Sequence, residues 1–187
     1  MKADELVDLV DATGDIQLRG IRRDEVRDRK EEFVASGLYQ PIVVVVVLDE
    51  DGRVVAHERG QAKGDDGAGE IDHVCGVISS GESWRETAVR EALEELGVQI
   101  RDLCFVAAGV NIYDRHRTLA VAQAIGAPRV VDHDEVGRLL LATVEELVEQ
   151  ECRSVRFVRG FFDDLRAALT TRAPGPMDAT AASPPDS

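Results

Sequence analysis

Residues 76–98 read GVISSGESWRETAVREALEELGV, and four of their glutamates, at 82, 91, 94 and 95, lie with Arg90 around a loop that leads into a helix. Ser83 followed by Glu86 is a capping box, and Gly97 suits the position just after a last helical turn. The pattern therefore predicts a helix over residues 84–96. Carboxylate oxygens are the ligands that hard divalent cations prefer, so the same segment predicts a metal site beside this helix.

The predicted helix carries its charges on one side. At about 100° per residue, three glutamates share one arc, and a neighbouring arc is apolar and is expected to pack on the protein. The glutamates are Glu91, Glu94 and Glu95, and the apolar residues are Val89, Ala92, Leu93 and Leu96. A solvated acidic face is the simpler interpretation. However, like charges at this spacing repel one another, and only Arg90 lies beside them, so a bound metal is the better explanation.

The residues before this segment predict strands. Two short apolar stretches, Leu6–Val10 and Ile16–Ile21, flank a turn sequence and predict an N-terminal hairpin. A short helix is predicted within residues 23–36. The β-branched run at 41–48 predicts a strand buried on both faces, and residues 53–59 predict the strand that returns from it.

The residues after the segment predict further strands and helices. Strands are expected at 99–112 and 117–126, and helices at 143–151 and 154–170. From residue 171 onward the chain is mainly Ala, Pro, Thr, Ser and Asp, which cannot bury a core and predicts a disordered tail.

Composition narrows the range of partners. A net charge of −14 argues against binding a nucleic-acid polymer, which requires Lys and Arg to neutralise phosphates. The longest apolar run, at 42–48, is too short to cross a membrane. Three widely spaced cysteines, Cys75, Cys104 and Cys152, without a CxxC pair indicate reduced thiols, and no secretory signal is visible, so we expect a cytoplasmic protein. A homodimer is compatible with the sequence.

The spacing G-x5-E-x7-R-E-U-x-E-E-x-G-U, where U is aliphatic, runs from Gly76 to Val98 and resembles the signature of the Nudix superfamily. The resemblance implies an α/β fold, an α/β/α sandwich around a mixed β-sheet. It would cover residues 38–170, between an N-terminal hairpin or extension at 1–37 and a disordered tail at 171–187.

The resemblance also implies a reaction. A divalent cation, Mg²⁺ or Mn²⁺, would take part in hydrolysis of a small-molecule substrate, at a diphosphate linkage between a nucleoside and another moiety. The implied metal ligands are Glu91 and Glu95 with Glu94, together with the backbone carbonyl near Gly76, and Arg90 would orient Glu91. The general base is left open: Glu91 or Glu94 in the helix is possible, but a downstream Glu135 is the first choice and Asp134 the second. Candidate substrate contacts are Arg59, Lys63, Asp114 and His116.

Two alternatives remain. The Cys75-Gly76 pair resembles isopentenyl-diphosphate isomerases, a Nudix branch in which that cysteine is catalytic. This chain departs from that branch at Val77, where the branch has histidine, and at Asp114-x-His116, where it has Glu-x-Glu. The other alternative is a non-catalytic nucleotide-binding protein, which would be expected to have lost helix carboxylates. Because the carboxylates are intact, the sequence favours the hydrolase.

Overall fold

The computed structural model describes residues 5–61, 67–131, 133–134, 136–152 and 155–172. The strands are β1 (Leu6–Val10), β2 (Ile16–Arg22), β3 (Gln40–Leu48), β4 (Val54–Arg59), β5 (Ile71–Asp72), β6 (Val74–Val77), β7 (Gln99–Val110), β8 (Arg115–Ile125) and β9 (Val136–Ala142). The helices are α1 (Arg23–Asp28), α2 (Lys30–Ala35), α3 (Trp84–Leu96), α4 (Val144–Cys152) and α5 (Phe161–Arg172). Within the described residues, no helix is long and apolar enough to span a membrane.

Strand β3 lies at the centre of a mixed sheet. It runs parallel to β8 along one edge, from the Gln40–Arg115 pair to the Leu48–Gln123 pair. Its other edge is shared, because the first half pairs antiparallel with β6 and the last residues pair antiparallel with β4. Strands β5 and β9 extend the sheet from β4, and β7 extends it from β8. Sharing one edge of β3 between β4 and β6 places the end of β4 beside the strand that leads to α3.

The two faces of β3 belong to different hydrophobic layers. Val43, Val45 and Val47 pack in one cluster with Ala88 and Leu96 of α3. Val44, Val46 and Leu48 pack in the other cluster, which also contains Phe161, Leu165 and Ala168 of α5. Because successive side chains of a strand point to opposite faces, the continuous apolar run buries both. The predicted α/β/α sandwich around a mixed sheet is confirmed.

The predicted N-terminal hairpin is present, because β1 and β2 pair antiparallel. Val7 and Leu9 are fully buried and belong to the same core cluster as α5. The single helix expected within residues 23–36 is instead two short helices separated at Arg29, whose φ of −109° and ψ of 22° are not helical. The N-terminal segment thus shares the hydrophobic core of the sheet.

The last predicted helix begins later in the chain than expected. The prediction of a helix over 154–170 was wrong for residues 155–160, because residues 156–158 pair with Ile71 through two backbone hydrogen bonds of 2.8 and 2.9 Å. Gly160 then adopts a φ of +93°, and α5 begins at Phe161. The helix continues to Arg172, and residues 173–187 of the expected tail lie outside the described residues. Strand β9 was not predicted from the sequence.

His73 is a buried histidine between the sheet and α5. It is 1% exposed, its ring stacks on Phe161 with centroids 3.9 Å apart, and its Nε2 lies 3.1 Å from the Phe161 carbonyl oxygen. Burial lowers the pKa of His73 to about 4. The unfolded chain therefore binds a proton at this histidine well before the folded protein does as the pH falls.

We expect His73 to make the protein less stable in mild acid. Stability from this residue is present above the unfolded pKa of 6.5 and is lost as the pH falls towards 4, by about 2 kcal/mol between pH 7 and pH 5. His73→Gln keeps a donor for the Phe161 carbonyl but does not titrate. Urea unfolding at pH 7 and pH 5 should show that the free energy of unfolding falls less for the variant than for the unaltered protein. Equal losses would contradict this role.

Candidate active site

Helix α3 has the local structure that its sequence predicts. The Ser83 hydroxyl accepts the backbone N–H of Glu86 at 3.3 Å, and the Glu86 carboxylate accepts the backbone N–H of Ser83 at 2.9 Å. At the other end Gly97 has a φ of +64°, which a glycine adopts without strain. The capping box and the bounds of the helix are both confirmed.

The face that α3 buries is not the predicted one. Val89 and Leu93 are 46% and 52% exposed, whereas Glu91 and Glu95 are only 9% and 6% exposed. The expectation that the apolar arc packs on the protein was therefore wrong for Val89 and Leu93, whereas Glu91 and Glu95 are buried. The helix instead packs through the side that includes Ala88, Ala92 and Leu96, which turns two of the three carboxylates towards β6.

Gly76 makes room for Glu91. A Cβ atom on Gly76 would lie 2.1 Å from Glu91 Oε1 and 2.2 Å from Glu91 Cδ and Cγ, far inside contact distance. The Glu91 side chain therefore occupies the space that any other residue at position 76 would fill. This close approach brings together the Gly76 backbone and the Glu91 carboxylate, two of the metal ligands that the resemblance implies.

Arg90 connects the loop before α3 to the helix carboxylates. Its guanidinium donates to both oxygens of Glu82 at 3.0 Å and to Glu91 Oε1 at 2.7 Å, and it lies 3.6 Å from Glu94 Oε2. It also donates to the Val77 carbonyl at 3.3 Å. The hydrogen bonds to Glu82 are the main cause of a raised pKa at Arg90. A planar guanidinium can make these contacts together, since its donors point in several fixed directions.

Glu95 faces a different side of the site. Its Oε2 accepts the backbone N–H of Cys75 at 3.3 Å and lies 4.0 Å from Nδ1 of His57 in β4. His57 is 3% exposed. This residue was not predicted from the sequence. A signal was available, because His57 alternates with Val55 on a short, largely apolar strand where an aliphatic residue is the ordinary choice.

Cys75 lies on the other face of β6. It pairs with Val44 and packs against the α5 side of the core, whereas Gly76 pairs with Val43 and faces α3. Burial is the main cause of a pKa at the Cys75 thiol far above its usual range, and Asp72 and Glu95 add to the effect. The thiol is therefore held in its neutral form, which is a poor nucleophile and a poor base.

The other predicted site residues lie outside helix α3. Arg59 donates to Oδ2 of the buried Asp72 at 2.8 Å. His116 is 6% exposed and lies beneath Gly14 of the β1–β2 turn, and burial lowers its pKa. The Asp114 side chain is 56% exposed, and its Oδ2 lies 3.9 Å from Lys30 Nζ. Asp134 is exposed. Lys63 and Glu135 lie outside the described residues.

The N-terminal hairpin holds the loop that precedes α3. Asp8 accepts the Ser80 hydroxyl at 2.6 Å and the Gly20 backbone N–H at 2.8 Å. One residue earlier along the loop, Ser79 forms a bridge with Val7, and its backbone N–H donates to Glu82 at 3.4 Å. A continuous set of contacts therefore leads from β1 through this loop to Glu82 and Arg90.

The residues around α3 fit a hard divalent cation in their chemistry. They offer three carboxylates and a backbone carbonyl, and the space over Gly76 admits Glu91. Among the described residues, no three His, Cys, Asp or Glu side chains converge closely enough to enclose an ion. Mg²⁺ usually keeps several waters in its coordination shell and also binds substrate phosphates.

Comparison with known proteins identifies the family. The chain is 37% identical, over 95 residues, to an uncharacterised Nudix hydrolase of Streptomyces coelicolor, a match that covers 51% of this chain and 48% of that protein. It thus spans about half the length of the curated relatives it matches.

Two solved structures share the fold. One is a Deinococcus radiodurans protein, DR0079, with a TM-score of 0.66 and 17% identity over 87% of this chain and 98% of that one. The other is the NUDIX domain of Shewanella oneidensis NrtR in complex with ADP ribose. It has a TM-score of 0.60 and 12% identity over 77% of this chain and 99% of that one. The sequence profile of the NUDIX domain matches residues 38–169, most of the chain. The chain therefore belongs to the NUDIX domain family.

Proposed function

We propose that this protein is a divalent-metal-dependent hydrolase that cleaves the diphosphate linkage of a nucleoside diphosphate joined to another moiety. The observation that carries the proposal is the seating of Glu91 against Gly76 while Arg90 binds Glu82 and Glu91. This arrangement holds the Glu91 carboxylate against the backbone of Gly76. Membership of the NUDIX family supports the same chemistry.

The residues of the site have different proposed roles. Glu91, Glu94 and Glu95, with the carbonyl of Gly76, would hold Mg²⁺ or Mn²⁺. The ion would supply the positive charge that neutralises the diphosphate and makes an attacking water more acidic. A carboxylate then takes the proton of that water, and Glu91, Glu94, Glu135 and Asp134 are the candidates. Arg90 keeps Glu91 in place.

Substrate binding needs further cations. Arg59 and Lys63 would neutralise the charge that remains on the diphosphate, since guanidinium and ammonium groups form strong hydrogen bonds to phosphate. Asp114 and His116 stay as further candidate contacts predicted from the sequence. The ADP ribose bound to the Shewanella NUDIX domain is a nucleoside diphosphate joined to a sugar, and we infer that this class is the first to test. A cytoplasmic location and a homodimer remain predictions of the sequence.

Hydrolysis is tested with a panel of substrates in the presence of Mg²⁺ or Mn²⁺. We expect ADP-ribose, nucleotide sugars or dinucleoside polyphosphates to be cleaved, and the reaction to stop when EDTA removes the metal. In ¹⁸O-labelled water, one of the two phosphate products should carry a single ¹⁸O, because water supplies the new P–O bond. Nucleoside triphosphates and isopentenyl diphosphate complete the panel.

The same panel separates the alternatives. Formation of an allylic isomer from isopentenyl diphosphate, abolished by Cys75→Ser, would replace hydrolysis with isomerisation. The neutral thiol of Cys75, on the face of β6 opposite to Gly76, argues against that result. Nucleotide binding without turnover of any substrate in the panel would favour a binding protein and contradict the proposal.

A further inference from the structure

His57 is an unusual residue for the place it occupies in β4. It alternates with Val55, which is fully buried in the α3-side layer, and it pairs with Asp72 of β5 and Leu139 of β9. His57 is only 3% exposed, so its imidazole loses its hydration on folding. This costs free energy that burial of an aliphatic side chain would not. A buried polar side chain in an apolar layer indicates a specific polar neighbour.

Glu95 is that neighbour on the α3 side. His57 Nδ1 lies 4.0 Å from Glu95 Oε2, and the two side chains are 4% and 8% exposed. The same oxygen accepts the Cys75 N–H at 3.3 Å. Two strands therefore approach one carboxylate oxygen from different directions, β6 with a backbone hydrogen bond and β4 with an imidazole nitrogen at 4.0 Å.

The other two helix carboxylates have a different neighbour. Arg90 lies beside Glu91 and Glu94, at 2.7 and 3.6 Å. Glu95 is one helical turn beyond Glu91 and faces β4. The carboxylates of α3 thus have two separate polar neighbours, a guanidinium on the helix itself and an imidazole on the sheet.

We propose that His57 is a positioning residue that orients Glu95 for metal binding. This rests on the proposed function, because it assumes that Glu95 is a metal ligand. Groups that hold a metal-binding side chain in place typically change metal affinity 10–100-fold when they are removed. His57 is placed to do so through Glu95, without itself contacting the substrate.

The test is a titration of the full chain with Mn²⁺, followed by the electron paramagnetic resonance signal of the free ion. His57→Leu keeps much of the volume and removes both ring nitrogens. His57→Asn places an amide nitrogen where Nδ1 lies. We expect Mn²⁺ affinity to fall about 10–100-fold in His57→Leu and to remain within about threefold of the unaltered protein in His57→Asn, since only the latter keeps the group that faces Glu95.

A double-mutant cycle shows whether the effect passes through Glu95. In a Glu95→Gln background, His57→Leu should cause almost no further loss of Mn²⁺ affinity, because coupled residues are not additive. An equal loss in both backgrounds would overturn the proposal, since His57 would then act on the metal independently of Glu95. If His57→Leu does not fold, His57→Asn is compared with His57→Gln, whose amide lies nearer the Nε2 position, and equal affinities of these two would also overturn it.

The outcomes are distinct from those of the proposed function. If the unaltered protein binds no Mn²⁺ and cleaves no substrate, both proposals fail. If it binds Mn²⁺ and His57→Leu binds it equally well, only the role of His57 is contradicted. Thermal unfolding of every variant in EDTA records the stability of the fold without metal, so that lost affinity is not mistaken for lost structure.

Discussion

Glu94→Gln is expected to reduce kcat by at least about 100-fold while leaving the fold intact. Glu94 is a candidate both for metal binding and for proton removal, and loss of a positioned general base alone costs about 10²–10⁴ in rate. Its side chain is 50% exposed, so the substitution removes a charge without opening the core. We therefore expect the free energy of unfolding to change by less than about 0.5 kcal/mol. Steady-state kinetics at saturating Mg²⁺ and urea unfolding measure the two quantities.

The matched control is Glu145→Gln, which makes the same change at an exposed glutamate in the first turn of α4. Its kcat should stay within about twofold of the value for the unaltered protein, because Glu145 is not one of the proposed site residues. If Glu94→Gln behaves like this control, Glu94 is neither ligand nor base. The metal would then be held by Glu91 and Glu95.

Gly76→Ala is expected to be the most damaging of the conservative substitutions. The added methyl would lie 2.1 Å from Glu91 Oε1, so either the Glu91 side chain or strand β6 must move. Overpacking of this kind costs about 1–3 kcal/mol of stability. A displaced carboxylate also loses its alignment, and a shift of about 1 Å costs about 100-fold in rate. We expect losses of both stability and kcat/KM, read from urea unfolding and from steady-state kinetics.

Gly137→Ala, in β9, provides the comparison. The nearest atom to a Cβ at Gly137 is the Glu58 carbonyl oxygen at 3.5 Å, which is ordinary contact. This variant should keep its activity and lose little stability. A Gly76→Ala protein that is as stable and as active as Gly137→Ala would show that the approach of Glu91 to Gly76 is not required.

The sequence predicts best those features that depend on neighbouring residues. The capping box of Ser83 and Glu86 and the end of α3 at Gly97 are local, and both were predicted correctly. The buried β3 run is equally clear, because seven consecutive aliphatic residues at 42–48 have no polar face. The hairpin before it follows from two apolar stretches and a turn.

Features that depend on tertiary contacts were missed. The buried face of α3 is set by the gap at Gly76, which no periodicity within the helix reveals, so Val89 and Leu93 were wrongly predicted to pack. The delayed start of α5 comes from pairing with Ile71, a residue 85 or more positions earlier in the chain. His57 is close to Glu95 only because β4 and β6 share an edge of β3.

The N-terminal hairpin has a consequence for how this protein can diverge. The NUDIX profile begins at residue 38, yet Asp8 and Val7 contact the two serines of the loop that leads to Glu82. Selection can therefore alter the geometry around Arg90 through residues that lie outside the signature and leave every signature residue unchanged. Two relatives with identical residues at 76–98 can differ in activity because their first 37 residues differ.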